Sequence, residues 1–198
     1  MAKLYFKYGA MGSSKTANAL MVAFNYEEKG LKPLVLKPKL DSRDGEKIIK
    51  SRIGLSRKCE FVEDFILPDK EKTFEKVKGY DCIIIDEVQF CKIYEIRMLP
   101  YIVNVMKIPV ICYGLKTDFL LNPFPAAAEL LACADVIEEL KTVCWCGQGA
   151  TCNARIGPDG KIVREGKTID LGGNDKYISL CFKHYMSGEL GPKNKTDR

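Results

Sequence analysis

The sequence predicts an α/β fold: a P-loop NTPase-like, mostly parallel sheet with flanking helices, plus a small zinc-binding C-terminal lobe. Three observations predict it. Short apolar runs alternate with helical patterns, a glycine-rich turn joins the first run to the first helix, and cysteine-rich polar segments displace the apolar runs after residue 142. The 198 residues suit one ordinary domain carrying a small appendage. The boundary falls between residues 1–142, a nucleotide-binding unit, and 143–198, a lobe too small to build much core without a metal or close docking.

Each element has its own signal. Lys3 to Tyr8 is a β-prone run, and Ala19, Leu20, Val22, Ala23 and Tyr26 recur at helical spacing between Lys15 and Lys29 before Gly30 stops the helix. Pro33-Leu-Val-Leu36, Asp81-Cys-Ile-Ile-Ile85 and Pro109-Val-Ile-Cys-Tyr113 are continuous apolar runs, the pattern of strands covered on both faces. Helical patterns over 70–78, 92–107 and 125–133 complete the alternation.

Composition excludes several classes. Hydrophobic residues at 46% and charged residues at 29% fit a protein with a sizeable core. No apolar run approaches the ~20 residues of a membrane helix, and the N-terminus lacks a secretory pattern, so a cytoplasmic protein without membrane attachment is expected. The net charge of +5 is dispersed, which favours a small anionic ligand over direct nucleic-acid binding. Nine cysteines without an export signal read as reduced thiols. Cys59, Cys82, Cys91, Cys112 and Cys133 lie in or beside apolar stretches and suit core packing.

The turn Gly9-Ala10-Met11-Gly12-Ser13-Ser14-Lys15-Thr16 departs from G-x-x-x-x-G-K-[ST] only at Ser14, where the pattern has its second glycine. Between strand and helix, such a loop gathers backbone N–H groups and a helix N-terminus around phosphate oxygens. Lys15 would bridge terminal phosphates and Thr16 would ligate Mg²⁺. Ser14 costs roughly 1 kcal/mol if its φ is positive. Asp86 and Glu87 end an apolar strand at the sheet edge where such folds bind ligands; Asp86 would complete the Mg²⁺ shell, which leaves Glu87 for proton transfer. Loop and acid pair together point to Mg²⁺ with a nucleoside triphosphate, without naming the phosphoryl acceptor.

Cys144 and Cys146, with Cys181 and the sole histidine His184, supply three thiolates and one imidazole, a set that fits structural Zn²⁺. Cys152 stands nearby as an alternative ligand.

The chain resembles the type II thymidine kinases. The matching segments span most of it: the phosphate loop, Asp41-Ser-Arg43, Ser51-Arg-Ile-Gly54, Ile85-Asp-Glu-Val-Gln-Phe90, Tyr113-Gly-Leu-Lys-Thr-Asp-Phe119, Leu140 to Gly147 and Gly172 to Tyr185. The resemblance implies transfer of the ATP γ-phosphoryl group to the 5′-hydroxyl of thymidine, with Glu87 as proton acceptor. It implies that Phe119 stacks on thymine, that Met11, Gln89, Phe90, Leu115 and Tyr177 enclose the nucleoside, and that a lasso from Ile169 through Gly172 and Gly173 to Tyr177 reads the base edge through its backbone. On spacing alone, Met11, Phe90, Leu115 and Phe119 suit a core equally well, and Arg43 suits either a phosphate contact or a solvated loop. The resemblance also implies a homotetramer inhibited by thymidine triphosphate. The rival readings are a P-loop motor ATPase, a zinc-stapled binding domain and a kinase for another nucleoside.

Overall fold

In the computed structural model, residues 1–41, 45, 47–166 and 176–192 are described. The chain runs β1 (Leu4–Tyr8), α1 (Lys15–Glu28), β2 (Pro33–Lys37), β3 (Ile48–Lys50), β4 (Ser56–Lys58), β5 (Glu60–Phe61), α2 (Val62–Phe65), α3 (Lys70–Val77) and β6 (Cys82–Ile85). It continues through α4 (Ile93–Tyr101), β7 (Val110–Gly114), α5 (Pro125–Cys133), β8 (Val136–Glu139), β9 (Cys152–Arg155), β10 (Tyr177–Leu180) and α6 (Phe182–Ser187). Six strands form one sheet in the order β5-β2-β6-β7-β1-β8, and every pairing in it is parallel.

The apolar runs explain the layering. Successive strand side chains face opposite sides, so Leu34, Leu36, Ile83, Ile85, Val110 and Cys112 enter one core, which α4 and α5 cover. The alternate residues Val35, Cys82, Ile84, Ile111 and Tyr113 enter a second core beneath α1. Burial on both faces is why these strands lack polar alternation. Because all six run the same way, Tyr8, Lys37, Ile85 and Gly114 end at one edge, and the loops leaving that edge build the site.

Three local features differ from the sequence expectations. The helix expected over 92–107 is α-helical only through Tyr101 and continues as a π-helical turn over Ile102–Met106. Pro100 lacks the N–H that a regular helix needs there, and its carbonyl instead accepts from Asn104 Nδ2 at 2.8 Å. Strand β8 extends the sheet beside β1, and an antiparallel hairpin of β3 and β4 stands apart from the sheet. After residue 142, β9 and β10 pair antiparallel and pack with α6 around Cys144, Cys152, Ala154, Leu180 and Tyr185, a small core separate from the two above.

Candidate active site

The phosphate loop bridges β1 and α1, as its sequence predicts. Gly12 has φ +78 and Ser14 has φ 58 with ψ 26, so serine holds the left-handed conformation that the missing glycine would take freely. Gly9 is required for a different reason: a Cβ there would lie 2.3 Å from the Leu140 carbonyl oxygen and 2.4 Å from Ser13 Oγ. The loop wraps its own lysine. Lys15 Nζ donates to the carbonyls of Gly9 at 3.0 Å and Ala10 at 2.9 Å, and to Ser13 Oγ at 3.3 Å. The loop thus bends around a buried cation.

Asp86 follows β6 directly and is 2% exposed; its Oδ1 accepts no hydrogen bond. Burial, then the neighbouring Glu87 carboxylate, raises its pKa to about 7, against a lowering hydrogen bond from the Thr16 hydroxyl. A buried carboxylate with an unpartnered oxygen beside a threonine hydroxyl is a donor set that fits Mg²⁺. Glu87 sits one residue on, in the left-handed region with φ 51 and ψ 37. Its Oε2 accepts from Gln89 Nε2 at 2.5 Å, while Gln89 Oε1 accepts the Leu115 N–H at 3.0 Å.

These groups share a cleft of about 620 Å³ whose walls include Met11, Lys15, Thr16, Asp41, Glu87 and Leu115. The β3–β4 hairpin overhangs it, contributing Ile49 to Gly54. Lys37, fully buried at the end of β2, pins the hairpin base by donating to the carbonyls of Gly45 at 2.7 Å and Ile48 at 2.8 Å.

In the C-terminal lobe, Cys144, Cys146, Cys181 and His184 bring one ligand atom each to within 4.8 Å of one another. His184 Nδ1 lies 3.5 Å from Cys144 Sγ and 3.3 Å from Cys181 Sγ. Zn–S bonds of about 2.3 Å set tetrahedral ligands roughly 3.8 Å apart, so this group fits Zn²⁺ through Nδ1. Burial opposes ionisation of Cys144, but backbone N–H groups of Cys146 and Cys181 and contact with His184 outweigh it and bring the thiol down to about 6. Cys152 stands outside the group of four, with its sulfur 3.8 Å from Thr151 Oγ1.

A family model described as thymidine kinase matches residues 2–185. The chain belongs to the thymidine kinase family. A thymidine kinase of Francisella tularensis subsp. tularensis is 42% identical over 200 residues, covering 95% of this chain and 98% of that one. Those of Coxiella burnetii and Legionella pneumophila are 40% and 41% identical, covering 96% and 98% of this chain and 97% and 96% of theirs. Among solved structures, the Pif1 helicase of Candida albicans gives a TM-score of 0.43 at 13% identity, over 72% of this chain and 36% of that one.

Of the positions that the family resemblance assigns to the nucleoside, Met11 and Leu115 stand in the cleft wall beside Glu87. Phe90, Phe119 and Tyr177 lie outside that wall. Phe90 packs edge-on against Phe124 at 6.1 Å between centroids. Phe119 is buried where α6 meets the main sheet unit, with the Arg155 guanidinium 5.1 Å from its ring centroid and the Tyr185 hydroxyl donating to its carbonyl at 2.7 Å. Tyr177 pairs with Arg155 across the β9–β10 ladder. Gln89 is buried behind Glu87, and Ile169, Gly172, Gly173 and Arg43 lie outside the described residues.

Three contributors have no signal in the sequence. Asn153 and Ser179 grip the backbone of Met11: its N–H donates to Asn153 Oδ1 at 2.8 Å, and the Ser179 hydroxyl donates to its carbonyl. Thr142 Oγ1 donates to the Gly12 carbonyl at 3.2 Å. Small polar residues in short strands and loops carry no periodic signal, so only the folded arrangement identifies them.

Proposed function

We propose that this chain transfers the γ-phosphoryl group of ATP to the 5′-hydroxyl of thymidine, giving thymidine monophosphate and ADP. The observation that carries this reading is one cleft walled by the phosphate-loop lysine and threonine and by the Asp86–Glu87 pair, in a chain matched by the thymidine kinase model over residues 2–185.

In this reading Gly9 to Thr16 cradle the triphosphate, and Lys15 exchanges loop carbonyls for phosphate oxygens. Thr16 and Asp86 would hold Mg²⁺, which supplies positive charge against the phosphate oxygens when bound. Glu87 accepts the 5′-hydroxyl proton as that oxygen bonds to the γ-phosphorus and the bond to ADP breaks, so the proton ends on the carboxylate. Met11 and Leu115 wall the nucleoside side of the cleft. Phe90, Phe119, Tyr177 and the lasso positions Ile169, Gly172 and Gly173 complete the thymidine site in the substrate-bound enzyme.

The chain divides at residue 142, since the lobe has a core of its own. Cys144, Cys146, Cys181 and His184 hold a structural zinc, because four protein ligands close its shell. A cytoplasmic homotetramer inhibited by thymidine triphosphate completes the proposal. Nine free thiols favour a reducing compartment, no described helix is long and apolar enough to cross a membrane, and exposed Met21, Phe24 and Ile137 leave apolar surface for subunit contact.

The test is a labelled-ATP assay against thymidine, deoxyuridine, deoxycytidine and deoxyguanosine. Label should appear in thymidine monophosphate, and a preference for deoxycytidine or a purine would overturn the acceptor assignment. Glu87→Gln should lower turnover by ~10²-fold or more with the fold retained by circular dichroism. Near-normal turnover would remove Glu87 from its role.

A further inference from the structure

The family resemblance sets Gln89 among the residues around the nucleoside, yet the structure uses both ends of its side chain internally. It is 4% exposed. Its amide nitrogen donates to Glu87 Oε2 at 2.5 Å, and its amide oxygen accepts the Leu115 N–H at 3.0 Å. The orientation of the amide is fixed by chemistry: the Leu115 N–H only donates, so the amide oxygen faces it and the amide nitrogen faces Glu87.

The surroundings are shaped to this amide. Gly114, the last residue of β7, leaves no room for a side chain unless its neighbours shift: a Cβ there would lie 2.6 Å from Gln89 Oε1 and 2.8 Å from Val88 Cγ1. Glu87 is itself held in a left-handed conformation that a non-glycine residue keeps only where its neighbours over-determine it. Most staggered rotamers of a glutamate on a turn would carry its carboxylate away from an incoming hydroxyl.

We infer that Gln89 is a positioning residue: one buried amide ties the Glu87 carboxylate to the Leu115 wall of the cleft. This rests on the reading of Glu87 as proton acceptor. Displacing a reacting group by about 1 Å costs up to ~10²-fold in rate, so the tie acts on turnover rather than on nucleoside affinity.

Gln89→Met keeps the side-chain volume and removes both hydrogen bonds; Gln89→Asn keeps an amide but shortens it by one methylene, so that it no longer spans Glu87 and Leu115. Both should lower kcat by roughly 10- to 100-fold while the thymidine KM stays within about twofold. If thermal unfolding shows that Gln89→Met does not fold, Gln89→Asn carries the comparison. In a Glu87→Gln background, adding Gln89→Met should cost less than about twofold more, because the group being positioned is already gone. A raised thymidine KM with normal kcat would overturn the inference and make Gln89 a nucleoside contact. So would an undiminished kcat, or a full additional loss in the Glu87→Gln background. Normal turnover of Glu87→Gln alone overturns the proton-acceptor reading itself, however the Gln89 variants behave.

Discussion

Asp86 combines near-complete burial with a second carboxylate one residue away, and the two together hold its pKa near 7 in the ligand-free protein. That is a stability statement, because the unfolded chain returns the group to an ordinary value near 3.8. Below about pH 4 both states are protonated and no penalty exists. As pH rises from there towards 7, the unfolded state sheds its proton while the folded state retains it, so folding stability falls; above 7 the loss levels off. Each unit of upward shift corresponds to about 1.4 kcal/mol. The urea midpoint of the ligand-free enzyme, measured against that of Asp86→Asn, should therefore decline across this window. A difference that stays flat would mean that Asp86 is not held neutral. The same residue shows what the sequence discloses at this scale. Its place at the end of Ile83-Ile-Ile85 marks it as a site carboxylate, but nothing in the sequence reveals that one oxygen is buried without a partner.

At the scale of elements, legibility followed burial. Strands β2, β6 and β7 were readable because both of their faces enter a core, which leaves an unbroken apolar run. Strand β8 was not, since Val136-Ile-Glu-Glu139 lies at the sheet edge with Ile137 45% exposed and both glutamates in solvent. The β3–β4 hairpin was hidden for the same reason: of its strand residues only Ile49 is buried, so no alternation announces it. The Cys/His cluster and the phosphate loop were legible because their chemistry constrains residue identity directly. The close fit between β7 and the turn after Glu87 was not, although it makes a clear demand on one residue. Gly114→Ala inserts a methyl group 2.6 Å from Gln89 Oε1 and 2.8 Å from Val88 Cγ1, so either the turn or the strand end must shift. Overpacking of this kind costs about 1–3 kcal/mol. Chemical denaturation should show that loss, together with a fall in kcat as Gln89 and Glu87 move. A variant with wild-type stability and turnover would show that the site tolerates the displacement.

The whole molecule couples its lobe to its phosphate loop through a chain of short contacts. Met11 is held on both backbone sides, by Asn153 on β9 and Ser179 on β10. Ser179 is two residues from Cys181, and Cys181 shares its cluster with His184 on α6 and with the Cys144–Cys146 turn. A zinc ion in that cluster would close the end of the β9–β10 hairpin, and a closed structural shell of this kind contributes its binding free energy to folding. The lobe's own core is small, so without the metal β10 has little to keep it against β9, and Met11 loses the partners that fix its conformation. Cys181→Ser should therefore bind less than one zinc per chain by elemental analysis, unfold at lower temperature, and bind both ATP and thymidine more weakly. Asn153→Ala separates the metal from the contact it supports. Its zinc content should stay normal while loss of one hydrogen bond of about 0.5–1.5 kcal/mol raises the KM for ATP roughly 2- to 10-fold. A verified zinc-free protein that binds both substrates normally would uncouple lobe from loop. Normal ATP affinity in Asn153→Ala would instead leave the metal's influence on the site to run through Tyr185 and Phe119.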